Sequence, residues 1–169
     1  QANIGGELLM AHELGHHWFG DWVTCSTAED MWLNEGWASY CEKIYLESVY
    51  GKADYTKEVR SNHESVLRLA HVRDGGFYPV SGVGHDLTYS TTVYDKGADI
   101  AHTLRGYMGD EDFFEACRNF LIENAFTSIS SEEMRDFFQQ YTDRDMTAFF
   151  DNWIFAEGFP EYRVVSWSQ

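Results

Sequence analysis

Proline is nearly missing from this chain: only Pro79 and Pro160 occur in 169 residues. Proline removes a helix hydrogen bond and clashes with the preceding turn, so long helices here meet few breaks. Cysteine is sparse as well, at Cys25, Cys41 and Cys117. An odd set of three argues against a disulfide framework and reads as small, reduced core residues. Basic residues are outnumbered, 12 Lys and Arg against 28 Asp and Glu, for a formal charge of −16. Such a surface repels phosphate backbones and anionic bilayers, so neither nucleic acid nor a membrane is expected as a partner. No apolar run approaches the roughly 18–20 residues that span a bilayer, and no secretory leader follows Gln1. A soluble domain is expected, with its compartment, cytoplasmic or periplasmic and extracellular, left open.

What is abundant is aromatic: six Trp, ten Tyr and twelve Phe. That supply suits one domain with a substantial core. Apolar spacing and capping signals predict helices over 4–18, 30–50, 54–74, 92–108, 110–124, 130–138 and 145–153. Gly51 suits a C-terminal cap, Gly75-Gly76 a stop, and Ser130 with Glu133 a capping box. The segment 82–88 reads as loop. After Pro160 the residues Tyr162, Val164 and Trp167 belong to an alternating stretch that predicts a short strand. A lone strand would carry an unpaired edge.

The chemistry concentrates in His12-Glu13-Leu14-Gly15-His16. A helix turns about 100° per residue, so positions four apart share a face and two imidazoles can meet one metal ion. Glu13 sits beside them, placed to reach a metal-bound water instead of the metal. Glu35, in Trp32-Leu33-Asn34-Glu35-Gly36, follows His16 by nineteen positions. That is enough chain to leave one helix and enter another as a third ligand. Two His and one Glu leave the fourth zinc position open, which is the catalytic pattern. Cys25 lies nearby in sequence but fits less well than Glu35. His17 faces away from the pair, and His63, His71, His85 and His102 have no ligand spacing to one another, so each reads as a surface or packing residue. A surface pattern in an acidic helix remains the alternative for the five-residue motif taken alone.

Three stretches in register narrow that choice: HExxH followed by Trp18-Phe19-Gly20, then Trp32-Leu33-Asn34-Glu35-Gly36-Trp37-Ala38, then Tyr89-Ser90-Thr91-Thr92-Val93-Tyr94-Asp95-Lys96-Gly97. Together they resemble the gluzincin zinc aminopeptidases, the aminopeptidase N and leukotriene A4 hydrolase type, over nearly the whole chain. The resemblance implies a mainly α fold, the helical half of a thermolysin-like catalytic domain. It implies one zinc ion on His12, His16 and Glu35, with Glu13 as general base. Tyr94, otherwise a packing tyrosine, becomes the donor to the oxyanion, and Tyr89 lines the substrate pocket. Metal-bound histidines usually hand their other N–H to a carboxylate or carbonyl. Asn34 is a candidate to serve His16. Glu42, two turns beyond Glu35, either orients His12 or lies on the solvated face; Asp30 is a weaker candidate.

The family's amine-binding GxMEN strand is missing upstream. Residues 1–157 are therefore expected to be a catalytic domain cut on its N-terminal side, short of a complete active site. Residues 158–169 are expected to be a linker and first strand of a following β-domain. The implied activity is aminopeptidase hydrolysis of peptides, within a larger parent. Two other readings remain open: an epoxide hydrolase of the leukotriene A4 hydrolase type, and a non-catalytic interaction module with the same fold.

Overall fold

The computed structural model describes residues 4–161 and 163–168, and these form a mainly helical unit. Helix α1 spans Ile4–Gly15 and stops three residues before Trp18. Gly15 lies against the next long helix, where an added Cβ would sit 3.0 Å from Cys41 Cβ and 3.2 Å from the Ala38 Cα. The chain then turns through Gly20, whose N–H bonds the Val23 carbonyl at 2.8 Å. Strand β1, Val23–Cys25, follows.

One helix was expected over 30–50; there are two. A 3₁₀ segment, Ala28–Leu33, ends at Asn34, and α2 begins at Glu35 and runs to Tyr50. Helical backbone is lost at Asp30 (φ −103°, ψ 22°), and the junction before α2 is anchored by Asn34. Its Oδ1 accepts from Cys25 N at 3.0 Å and its Nδ2 donates to Thr24 Oγ1 at 3.0 Å, which ties the helix start to β1. Gly51 (φ 94°) ends α2 as expected and leads at once into α3, Lys52–Ser65, two residues before the anticipated start at Asp54. The rod continues through a π turn, Val66–Ala70, and α4, His71–Arg73. Val66 and Ala70 are buried, whereas Leu69 is exposed.

The loop expected over 82–88 contains a 3₁₀ turn, His85–Leu87. A second π turn, Thr92–Lys96, runs into α5, Gly97–Met108. Helix α6, Asp110–Glu123, buries Phe113, Ala116 and Phe120. Strand β2, Thr127–Ile129, pairs in parallel with β1, Val23 opposite Thr127 and Cys25 opposite Ile129. Helix α7, Ser131–Phe138, opens on the expected capping box, with Glu133 N bonding Ser130 Oγ at 3.2 Å and Ser130 N bonding Glu133 Oε2 at 2.7 Å. Helix α8, Met146–Trp153, is capped by Asp145, which accepts from Ala148 N at 2.8 Å.

The strand expected after Pro160 is absent among the described residues of the tail, where Val164, Val165 and Trp167 are exposed. A strand needs a partner for its N–H and C=O groups, and none lies alongside among the described residues. Tyr162 of that stretch lies outside the described residues.

The core is aromatic, as the composition suggests. Trp37 stacks between Phe19 (4.8 Å) and Phe113 (5.9 Å), and Trp32, Tyr40, Phe138 and Phe150 are fully buried around it. Asp30 braces this core instead of reaching the metal centre: it accepts from Ser81 Oγ at 2.6 Å and from Ser131 Oγ at 2.6 Å.

Lys96 is an exception in that core, a buried cation whose Nζ donates to the Tyr78 carbonyl at 2.8 Å. Burial pulls its ammonium down to about 8 from 10.5, with Glu157 opposing weakly. The folded state therefore binds fewer protons than the unfolded state between pH 8 and 10.5. This residue costs stability below pH 8, and the cost is relieved as pH rises to 10.5. The expected result is a stability difference between wild type and Lys96→Met that moves in favour of wild type by about 3 kcal/mol across that window. Denaturant unfolding at pH 7.5 and 10.5 checks it; a difference independent of pH would refute the assignment.

Candidate metal centre

Helix α1 carries His12, His16 follows directly after its last residue with its N–H bonding the His12 carbonyl at 3.1 Å, and α2 opens on Glu35. The close approach of Gly15 to Ala38 and Cys41 brings the two helices together. Three atoms then converge. His16 Nε2 lies 3.1 Å from His12 Nε2 and 3.1 Å from Glu35 Oε2, and His12 Nε2 lies 3.3 Å from Glu35 Oε2. Zinc held tetrahedrally at about 2.0–2.1 Å requires ligand atoms about 3.3–3.4 Å apart. The triangle fits that requirement. Among the described residues, this is the one group of three His, Cys, Asp or Glu residues arranged to hold a metal ion.

The protons support the same reading. His16 Nδ1 lies 3.0 Å from the Phe19 carbonyl. A carbonyl only accepts, so Nδ1 carries the hydrogen and Nε2 presents a lone pair to the triangle. His12 Nδ1 lies 2.9 Å from Glu42 Oε1, which gives that ring the same orientation. Lone pairs from two imidazoles and a carboxylate thus face one point, and one shared proton cannot satisfy all three contacts.

Without a cation, His12 is raised to about 9, chiefly by hydrogen bonding to Glu35 and then Glu42, against burial. Burial pushes the Glu35 carboxyl up, but the His12 hydrogen bond, the His16 charge and the Tyr94 hydroxyl together bring it below the usual range. A metal ligand must give up its proton, so a cation would replace the role that proton plays here.

Asn34, a candidate partner for His16, does not reach it. Its amide is spent on Thr24 and Cys25, and the Phe19 backbone carbonyl serves His16 instead. Of the two readings left open for Glu42, the structure has it facing His12.

Glu13 is exposed on α1 and is not one of the three residues of the triangle. It borders a surface hollow of about 620 Å³ with Glu7, Met10, Leu14 and Tyr45. The Tyr94 ring stacks on His12 at 5.9 Å and 16°. Burial raises the Tyr94 phenol, and Glu35 raises it further, with smaller contributions from Tyr89 and Glu13. The hydroxyl is therefore held protonated, as a donor. Tyr89 is 68% exposed in the same segment. Of the other histidines, His63 pairs with Asp99 at 2.8 Å, His102 with the Tyr55 hydroxyl at 2.6 Å, His71 stacks on Phe77, and exposed His17 lies 3.8 Å from Asp21.

Two features that hold Tyr94 in place escape sequence reading. Asp74 accepts from Thr91 N at 3.1 Å, Thr92 N at 2.7 Å and Thr92 Oγ1 at 2.6 Å, which caps the π turn. Such turns recur at functional sites. Gly36 and Gly97 are in backbone contact: a Cβ on Gly97 would lie 2.9 Å from the Gly36 Cα. This sets the start of α2, with Glu35, against the turn carrying Tyr94. Neither backbone can yield like a flexible side chain, so Gly97→Ala is expected to cost about 1–3 kcal/mol. Chemical denaturation checks it, and a neutral change would show that the contact has slack.

No helix among the described residues is long and apolar enough to cross a membrane. Residues 6–153 match the model of the peptidase family M1 domain. The chain is 26% identical to aminopeptidase M1-B of Oryza sativa subsp. japonica over 158 residues, covering 90% of this chain and 18% of that protein. It is 25% identical to aminopeptidase N of Lactococcus lactis subsp. lactis over 171 residues, covering 90% and 19%. This chain thus spans under a fifth of the length of these curated relatives. Among solved structures, the M1 zinc metallopeptidase from Deinococcus radiodurans superposes with a TM-score of 0.81 at 22% identity, covering 92% of this chain and 34% of that one. Native leukotriene A4 hydrolase from Saccharomyces cerevisiae gives 0.77 at 20% identity, covering 93% and 27%. A motif set in register, a helical fold shared with these structures and a family match over most of the sequence agree: this chain belongs to peptidase family M1.

Proposed function

We propose that this chain carries the zinc-binding and proton-transfer groups of an aminopeptidase, active within a longer parent that supplies the rest of the cleft. The observation that carries this reading is the convergence of His12 Nε2, His16 Nε2 and Glu35 Oε2, with Tyr94 stacked on His12 and Glu13 next to His12 along α1. His12, His16 and Glu35 would hold one zinc ion. When bound, zinc supplies Lewis-acid polarisation and brings the pKa of a water ligand to roughly 7.

The chain's own residues do the rest. Glu13 takes the proton from the attacking water and returns it to the departing amine, general base then general acid. Tyr94, held protonated, donates to the oxygen on which negative charge develops. Glu42 and the Phe19 carbonyl hold the two imidazoles in the tautomer with Nε2 free. Tyr89, exposed in the same segment as Tyr94, would line the substrate pocket. In this reading residues 1–157 are the catalytic part, and 158–169 lead into a following unit.

The experiment compares one short peptide with its N-acetylated form, each with and without a chelator, using the full-length parent. Cleavage of the free-amine peptide alone, abolished by the chelator, supports the reading. Cleavage of both indicates an endopeptidase. Cleavage of neither leaves the fold without this activity and turns attention to epoxide substrates.

A further inference from the structure

Lys43 is buried on α2, with its side chain 7% exposed. A buried ammonium is costly unless paired. Its Nζ lies 3.4 Å from Glu42 Oε2. The other oxygen of that carboxylate, Oε1, accepts from His12 Nδ1 at 2.9 Å. One carboxylate therefore bridges a metal-facing imidazole and a buried cation. The charge of Lys43 also acts on Asp95, the residue after Tyr94. Burial raises the Asp95 carboxyl, and Lys43 is the largest influence bringing it back down, ahead of Ser65 and Arg73. Asp95 is itself tied to α3, accepting from Ser65 Oγ at 3.3 Å and, through its carbonyl, from Asn62 Nδ2 at 2.8 Å.

We propose that Lys43 is a positioning residue for the metal centre, its buried ammonium anchoring the far oxygen of Glu42 so that the near oxygen faces His12 Nδ1 and sets zinc affinity. A carboxylate held at one oxygen only can rotate away from its imidazole. A carboxylate held at both cannot. The inference rests on reading His12, His16 and Glu35 as a zinc site, because its effect reaches the metal only through His12.

The test is zinc affinity of this chain, measured at one fixed pH by competition with a chromophoric chelator, for wild type, Lys43→Met, Glu42→Gln and the double variant. Lys43→Met is expected to weaken zinc about 10-fold or more, in the range for residues that orient a ligand. The double variant is expected to bind no more weakly than Glu42→Gln alone, within about twofold, because both changes break one chain of contacts. Lys43→Arg, which keeps the cation, is expected to retain most of the affinity.

A folded Lys43→Met with wild-type affinity overturns the proposal, and so do losses that multiply in the double variant. Should Lys43→Met fail to fold by circular dichroism, Lys43→Gln takes its place. Failure of both to fold, with or without zinc, overturns the proposal in favour of a purely stabilising lysine. Absence of zinc binding in the wild type refutes the metal-site reading itself, a separate failure.

Discussion

Glu13→Gln in the full-length parent is expected to lower kcat/KM by roughly 10²–10⁴-fold, the usual contribution of a positioned acid–base group. Zinc content should not change. The triangle of ligand atoms is formed by His12, His16 and Glu35, and Glu13 stands outside it on the exposed side of α1. Glutamine keeps the shape and the hydrogen-bonding reach but cannot accept a proton, so the loss should fall on kcat more than on KM. Steady-state kinetics with metal analysis of the same preparation checks both halves. Activity within tenfold of wild type would remove Glu13 from its role, and a parallel loss of zinc would mean that it belongs to the metal-binding set.

Glu35→Ala is expected to weaken zinc binding by the chain about a hundredfold or more. Structural zinc sites with four ligands bind with roughly 10–16 kcal/mol, which averages about 3 kcal/mol per ligand, and about 1.4 kcal/mol is a tenfold change. The alanine also removes the strongest of the interactions that raise His12, so the remaining pair loses its anion as well as its third corner. Competition titration measures the effect. An unchanged affinity would show that two histidines and solvent suffice, and that Glu35 is structural.

The pair of imidazoles was legible because positions four apart on a helix share a face, and the WLNEG stretch in register separated a metal pair from a surface pattern. Glu42 was legible in part, since seven residues past Glu35 is two turns along one face, but a solvated Glu has the same spacing. The partner of His16 was not legible: a backbone carbonyl, here that of Phe19, leaves no mark in side-chain identity. Asn34 has the position for that role, yet its amide is engaged with β1.

Both strands escaped notice for a related reason. Each has three residues, and they pair across about a hundred positions, Val23 with Thr127, so no local alternation announces them. Helix caps that depend on a local side chain, Ser130 with Glu133 and Asp145 with Ala148, were readable at once. Asp74 caps a turn seventeen residues away in sequence, and only folding brings it there. The tail strand was expected from alternation alone, which is insufficient where no neighbouring strand accepts its hydrogen bonds.

X-ray absorption at the zinc edge of the metal-loaded chain tests the central claim most directly, because it reports which atoms surround the ion. Two imidazole nitrogens and oxygen scatterers at about 2.0–2.2 Å around the bound ion, with no sulfur, are expected. A sulfur shell near about 2.3 Å or a single imidazole would contradict the assignment of His12, His16 and Glu35 as the metal centre.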